Sequence, residues 1–255
     1  MSTYWQAALK THWGIEADLT RLDGEYDLNF LAETDGQAYV LKVMRAGCEA
    51  EFVALQCGAF GHISASAPDV PVPNIVNTPS GENYIEVSDE AGDRRLVWLL
   101  EKCEGRVYAE TLPKTLALVA EVGAKLGAMD LALADFTHPA LARDFKWNLM
   151  QAGWIRDALD AITQPERRAL LGEILAEYEA LLPVLTALPQ VAIHNDLNDY
   201  NILVSGSLTA ALHVTGLIDL GDMCASPRIC DLAIACAYLV LDQDAPEQAL
   251  AAAVA

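Results

Sequence analysis

Four polar residues have the types and spacing that chemistry needs. His194, Asp196 and Asn201 lie in the run Val191-Ala-Ile-His-Asn-Asp-Leu-Asn-Asp-Tyr-Asn201, and Asp219 lies in Gly216-Leu-Ile-Asp-Leu-Gly-Asp222. Each group sits in a polar loop at the end of a short aliphatic or β-branched run, and a turn near Ser205–Gly206 separates the two. Strand ends joined by turns bring such loops to one edge, so two carboxylates and a carboxamide can converge on one point. Hard oxygen donors of this kind suit Mg2+, which takes one or two carboxylates and completes its shell with water and substrate phosphates.

The spacing His-x-Asp-x-x-x-x-Asn, followed by Ile-Asp-x-Gly, matches the catalytic-loop and metal-loop pair of the kinase signature. In that scheme Asp196 accepts the proton of the acceptor hydroxyl, while Asn201 and Asp219 hold the metal ions that neutralise the phosphates. Turn chemistry alone explains an Asp or an Asn in either loop. It does not explain both loops, in this order, each set between apolar strands.

The elements upstream must position these groups. Residues Thr3 to Trp13 carry Trp5, Leu9 and Trp13 at helical spacing. From Ile15 to Met44 the pattern is strand-like, with a turn inside Leu22–Phe30 and a hairpin signal at Asp35-Gly36. Lys42, flanked by Leu41 and Val43, is either an outward edge charge or a phosphate ligand, and the kinase signature has its phosphate-binding Lys in the third strand, as here. A helix from about Cys48 to His62 carries Glu49 and Glu51 in its first turn, where carboxylates are favourable against the helix dipole in any case. One of the two, with Glu51 preferred, is the expected ion-pair partner of Lys42.

Pro68, Pro71 and Pro73 mark a loop, and strands are expected at Asn83–Ser88 and Arg94–Leu100. Composition then shifts from strand-rich to Ala/Leu/Glu helix over Thr111 to Leu133 and Pro165 to Leu182. That shift predicts an N-terminal nucleotide-binding lobe, residues 1–103, and a C-terminal helical catalytic lobe, residues 104–255. The backbone from Glu101 to Cys103 becomes the expected purine-binding hinge. Beyond Asp222 a helix is expected over Arg228–Leu241, with Asp231 in its first turn as a local dipole partner or a brace for the catalytic loop. The Ala-rich end, Ala245 to Ala255, carries no stop signal.

With 53% hydrophobic and 20% charged residues, the 255-residue chain reads as globular and long enough for a substantial core. The longest uncharged apolar run, Leu232 to Leu241, is too short to span a bilayer, and no secretory pattern opens the chain, so the expected compartment is the cytoplasm. A net charge of −20 argues against a nucleic-acid partner, which would need Lys/Arg patches, and fits either a cationic small substrate or solubility alone. Six cysteines show no C-x-x-C pair and read as reduced core thiols.

The chain resembles the aminoglycoside phosphotransferase and choline kinase superfamily, most closely its hydroxylysine-kinase-like branch. The likeness runs through Gly24-Glu-Tyr-Asp-Leu-Asn-Phe30, Tyr39-Val-Leu-Lys42, His138-Pro139 with Trp147, His194–Asn201 and Gly216–Met223. It implies an α+β, two-lobed protein-kinase-like fold, with a small antiparallel-sheet N-lobe bearing one helix and a mainly helical C-lobe. It further implies Asp196 as catalytic base, Asn201 and Asp219 as metal ligands, Lys42 as phosphate ligand, Mg2+, and ATP or GTP as donor. There is no G-x-G-x-x-G loop, so only Gly24, with Asp27 and Asn29, is left to cover the phosphates. Asn195 replaces the Arg that protein kinases carry before the catalytic Asp, and the stretch from Asp219 to Pro227 has no room for a long activation loop. Protein substrates are therefore disfavoured.

Members usually continue into helices that wall the acceptor pocket, and some similar domains are fused to an aminotransferase-like domain; a fragment, a domain of a longer protein or a shortened member is expected. The leading reading is a small-molecule kinase acting on a hydroxylated amine or amino acid, hydroxylysine-, choline- or aminoglycoside-like, with no nucleic-acid or membrane partner. Two others compete with it: a catalytically silent nucleotide-binding or regulatory domain, and a Mg2+-dependent hydrolase built on the same carboxylates.

Overall fold

A computed structural model describes residues 2–207 and 210–255. Two compact units divide the chain, residues 1–112 with 201–218 and residues 113–200 with 219–255. The first unit opens with helix α1 (Ser2–Trp13), followed by strands β1 (Asp18–Leu22), β2 (Leu28–Glu33) and β3 (Ala38–Val43), helix α2 (Ala50–Ser66), and strands β4 (Tyr84–Ser88) and β5 (Arg94–Glu101). The five strands form an antiparallel sheet in the order β1-β2-β3-β5-β4.

Alternation along β3 sets what each face of that sheet does. Leu41 and Val43 are fully buried and join Trp5, Leu9 and Trp13 of α1 in one apolar cluster with Phe30, Val97 and Leu99. The helical spacing of Trp5, Leu9 and Trp13 therefore marks the face of α1 that seals the sheet. Lys42 points the other way, with Asn29 and Trp98 as its cross-strand neighbours. On that face Phe60 of α2 lies 6.4 Å from the Trp98 ring, so α2 packs on the side that carries the lysine.

Past β5 the chain remains in the first unit. Strand β6 (Arg106–Val107) pairs with β8 (Ile202–Ser207), which pairs with β9 (Ala210–Leu217), in a three-stranded sheet. Gly105 makes this docking possible. Its φ is +117, and a Cβ there would lie 2.6 Å from the Val204 carbonyl oxygen. The Glu104 carbonyl accepts from Thr215 Oγ1 at 2.5 Å.

The second unit holds helices α3 (Leu116–Ala132), α4 (Ile155–Ala158), α5 (Pro165–Thr186), α6 (Arg228–Leu239) and α7 (Pro246–Ala253), with a small sheet of β7 (Gln190–Ile193) and β10 (Cys224–Pro227). Helix α3 starts at Leu116 and not near Thr111, because Pro113 precedes it and the Thr115 hydroxyl accepts from Leu118 N as its cap. Helix α5 runs through Pro183 to Thr186, past the Leu182 end expected from sequence. The Ala-rich end is a helix, seated on α3 where Gly123 lets the Ala253 carbonyl approach to 2.0 Å of the position a Cβ would take. The six cysteines are free, four of them buried and Cys103 and Cys236 half-buried. Burial pushes the Cys57 and Cys224 thiols up to about 12. No helix among the described residues is long and apolar enough to cross a membrane.

Candidate active site

Strand β7 delivers the chain into the 194–201 loop, and α6 fixes how it enters. His194 and Asn195 are buried, and both of their backbone N–H groups donate to the Asp231 carboxylate at 2.8 Å, one to each oxygen. Asp231 is thus a brace for the loop and not merely a partner of its own helix dipole. Asn195 takes a left-handed backbone, φ +66, which Asn tolerates better than most residues. Its side-chain Nδ2 donates to the Trp147 carbonyl at 3.3 Å and the Asp222 carbonyl at 3.2 Å. His194 turns its Nδ1 inward to accept the Asp196 backbone N–H at 3.2 Å.

These bonds leave the Asp196 side chain half-buried, with Oδ1 accepting from Asn198 Nδ2 at 3.0 Å. Asp219 also has a left-handed backbone, φ +64, and its Oδ1 accepts Gly221 N at 3.0 Å. Arg143 holds the next turn by donating to the Gly221 and Met223 carbonyls at 2.8 and 3.2 Å. Burial, reinforced by the negative charges of Asp196 and Asp219, pushes the Asp222 carboxyl up to about 6. Three acids thus share one electrostatic neighbourhood within the second unit, an arrangement that favours a bound cation. No three His, Cys, Asp or Glu side chains among the described residues form a group that could hold a metal ion by themselves. A site completed by an amide and by substrate oxygens would show this pattern, and Mg2+ binds in that way.

Within the first unit, Asn201 immediately precedes β8, and its carbonyl accepts Ile218 N at 2.9 Å, immediately before Asp219 in the chain. Lys42 is buried, with Nζ 5.5 Å above the Trp98 ring. Asn29 is its direct cross-strand neighbour, and Asn29 Nδ2 reaches the Asp23 carbonyl at 3.4 Å, across the turn that contains Gly24. Gly24, Asn29 and Lys42 are therefore gathered at one end of the β1-β2-β3 sheet.

Glu51 is exposed on the first turn of α2, and Glu49, also exposed, stands at its N-cap position. The polar residue that α2 does bury is Gln56, whose Nε2 donates to the Phe52 carbonyl at 3.3 Å. At the end of β5, Glu101 N and Lys102 N are taken up by the Asn74 and Ala38 carbonyls, and Glu101 Oε2 accepts from Asn74 Nδ2 at 2.9 Å. Burial pushes the Cys103 thiol up to about 11, which makes it a poor nucleophile.

Sequence reasoning passed over Asn198, Arg143, Asp222 and Asp130. Only Asn198 and Asp222 had a sequence signal, as extra polar residues inside the two motif loops. His138 caps a 3-10 turn, its Nδ1 accepting from Ala140 N at 3.2 Å.

A family model described as the phosphotransferase enzyme family matches residues 18–255. The chain belongs to that family. Among curated phosphotransferase relatives, hydroxylysine kinase of Mus musculus is 28% identical over 229 residues, covering 84% of this chain and 60% of that protein. Hydroxylysine kinase of Danio rerio is 23% identical over 248 residues, covering 93% and 70%. This phosphotransferase-family chain thus spans about 60% of the length of the mouse relative.

Among solved structures, amicoumacin kinase hAmiN, in complex with AMP-PNP, Ca2+ and Ami, superposes with a TM-score of 0.69 at 17% identity, over 98% of this chain and 75% of that one. A microcompartment-associated aminopropanol kinase gives 0.67 at 22%, over 99% and 79%. At such identities the agreement establishes the fold, which is the α+β kinase-like one expected from the motifs.

Proposed function

We propose that the chain transfers the γ-phosphoryl group of ATP or GTP to a hydroxyl of a small amino-bearing metabolite. The observation that carries this reading is the clamped 194–201 loop, which holds Asp196 in a fixed pose beside the charges of Asp219 and Asp222. Phosphoryl transfer asks the protein for position and charge neutralisation more than for covalent chemistry. Asp196 would orient the acceptor hydroxyl and take its proton. Asn201 and Asp219 would hold Mg2+, which supplies neutralisation of the phosphate charge. Lys42 would bind phosphate oxygens, with Gly24 and Asn29 covering them. On this reading the first unit takes the nucleotide. Cys103 is the first residue past β5 whose backbone N–H is outside strand pairing among the described residues, so the purine contact falls to it.

Charge and two tryptophans support the acceptor class. Trp147 and Trp154 stand edge to face, 6.2 Å apart, and the Lys146 ammonium lies 4.5 and 4.8 Å from their rings. A hollow of about 590 Å3 beside them is lined by Asp144, Lys146, Gln151 and Trp154. Because Asn195 binds the Trp147 carbonyl, the pair is tied to the catalytic loop. An acceptor ammonium would take the place Lys146 holds over the rings. The hydroxylysine and aminopropanol kinases among its relatives are named for substrates of this class.

The test is a coupled nucleotide-consumption screen over hydroxylated amines and amino acids with Mg2+. Acceptor-dependent turnover is expected, and Asp196→Asn should abolish nearly all of it, by a factor of about 10²–10⁴, with nucleotide affinity nearly unchanged. Nucleotide binding without transfer to any acceptor would favour a silent binding module, and acceptor-independent phosphate release a hydrolase.

A further inference from the structure

We propose that Asp130 is a positioning residue for the catalytic loop: held as a neutral acid, it donates its proton to Asp231 and so fixes the carboxylate that clamps His194 and Asn195. This rests on reading 194–201 as the catalytic loop. Asp130 lies in the last turns of α3 and is 3% exposed, and Asp231 on α6 is fully buried. The two side chains are hydrogen-bonded to each other. Two carboxylates offer only acceptors, so one of the pair must carry a proton. Each oxygen of Asp231 already accepts a backbone N–H at 2.8 Å, which favours its charged form. The proton therefore belongs to Asp130.

The surroundings agree. Burial first, and then the negative charge of Asp231, push the Asp130 carboxyl up to about 9, with Arg228 pulling the other way. Both charged neighbours come from α6. Helix α7 meets α3 through Ala249 and Ala253, and among the described residues no other charged side chain acts on Asp130. Among the described residues its Oδ1 is buried without a hydrogen-bond partner. Without that donor, the clamp carboxylate would lose the neighbour that fixes its orientation toward the two N–H groups.

A raised folded-state value gives stability that is fully present below the ordinary carboxyl range and is lost as pH rises, up to about 9. Across that window one linked proton changes the folding constant about tenfold per pH unit. Asp130→Asn keeps a donor at the same place and does not titrate. Denaturant unfolding at pH 5 to 8 should show the wild-type unfolding constant rising relative to that of Asp130→Asn by about tenfold per pH unit.

Amide hydrogen exchange at His194 and Asn195 should be unchanged in Asp130→Asn and faster by about tenfold in Asp130→Ala. A pH-independent ratio between wild type and Asp130→Asn overturns the neutral acid, whether or not Asp130→Ala folds. Unchanged exchange in Asp130→Ala overturns the positioning role. Neither measurement requires phosphoryl transfer, so a failed acceptor screen and a failed acid pair are separate results.

Discussion

Asn195 and Asp219 hold left-handed backbones, φ +66 and +64, inside the two loops that carry the acids. Such conformations cost about 1–3 kcal/mol for non-glycine residues and persist where the surroundings over-determine them. Here Asp231, the Trp147 and Asp222 carbonyls, and Gly221 N provide that surrounding. Gly105 is the comparable point in the first unit, where positive φ and the Val204 carbonyl both exclude a side chain. Gly105→Ala should lower stability by about 2–4 kcal/mol, read by denaturant unfolding, since strain and displacement of β8 backbone add. An effect below about 0.5 kcal/mol would mean that the β6–β8 docking is soft. At this scale the motif residues were legible because their spacing is local. A pairing of Glu51 with Lys42 was less legible, because a first-turn carboxylate has a helix-dipole reason to exist whatever it faces.

Helix α1 shows what periodicity reads well. Trp5, Leu9 and Trp13 recur on one face, and that face is the one buried against β2, β3 and β5. Leu9→Ala should cost about 2–5 kcal/mol, the usual range for a buried Leu, because the sheet behind it cannot collapse into the gap. Thermal or denaturant unfolding would check this; a loss under 1 kcal/mol would mean α1 is dispensable to the sheet. Helix ends were less legible. The expected helix ended at Leu182, yet α5 passes Pro183, as a proline costs a helix one N–H bond and some steric strain but does not forbid its continuation. The Ala-rich end shows no apolar stripe of large side chains, so its helix is recognised only by what it touches: Gly123 and α3.

Taken whole, the chain carries a net charge of −20, and like charges repel. Its melting temperature should rise by a few degrees between about 20 and 300 mM NaCl as that repulsion is screened, and a fall would indicate that specific ion pairs dominate. The long-range pairing could not be read from the strand pattern. The run from Val191 to Asp222 reads as strand, loop, strand, turn, strand, loop, and those elements are present. The pairing differs: β7 pairs with β10 in the second unit, while the β8–β9 hairpin belongs with the first. A break in composition near Cys103 likewise could not tell that β6 continues the first unit to Leu112. By itself the sequence determined the chemistry on offer, since acid, amide and lysine identities and their local spacing are covalent facts. The tertiary structure alone decided that Asp231 clamps the loop and that Gln56, not an acid, is the polar residue α2 buries. Those outcomes depend on which buried polar groups find partners when distant helices pack, and no local spacing encodes that.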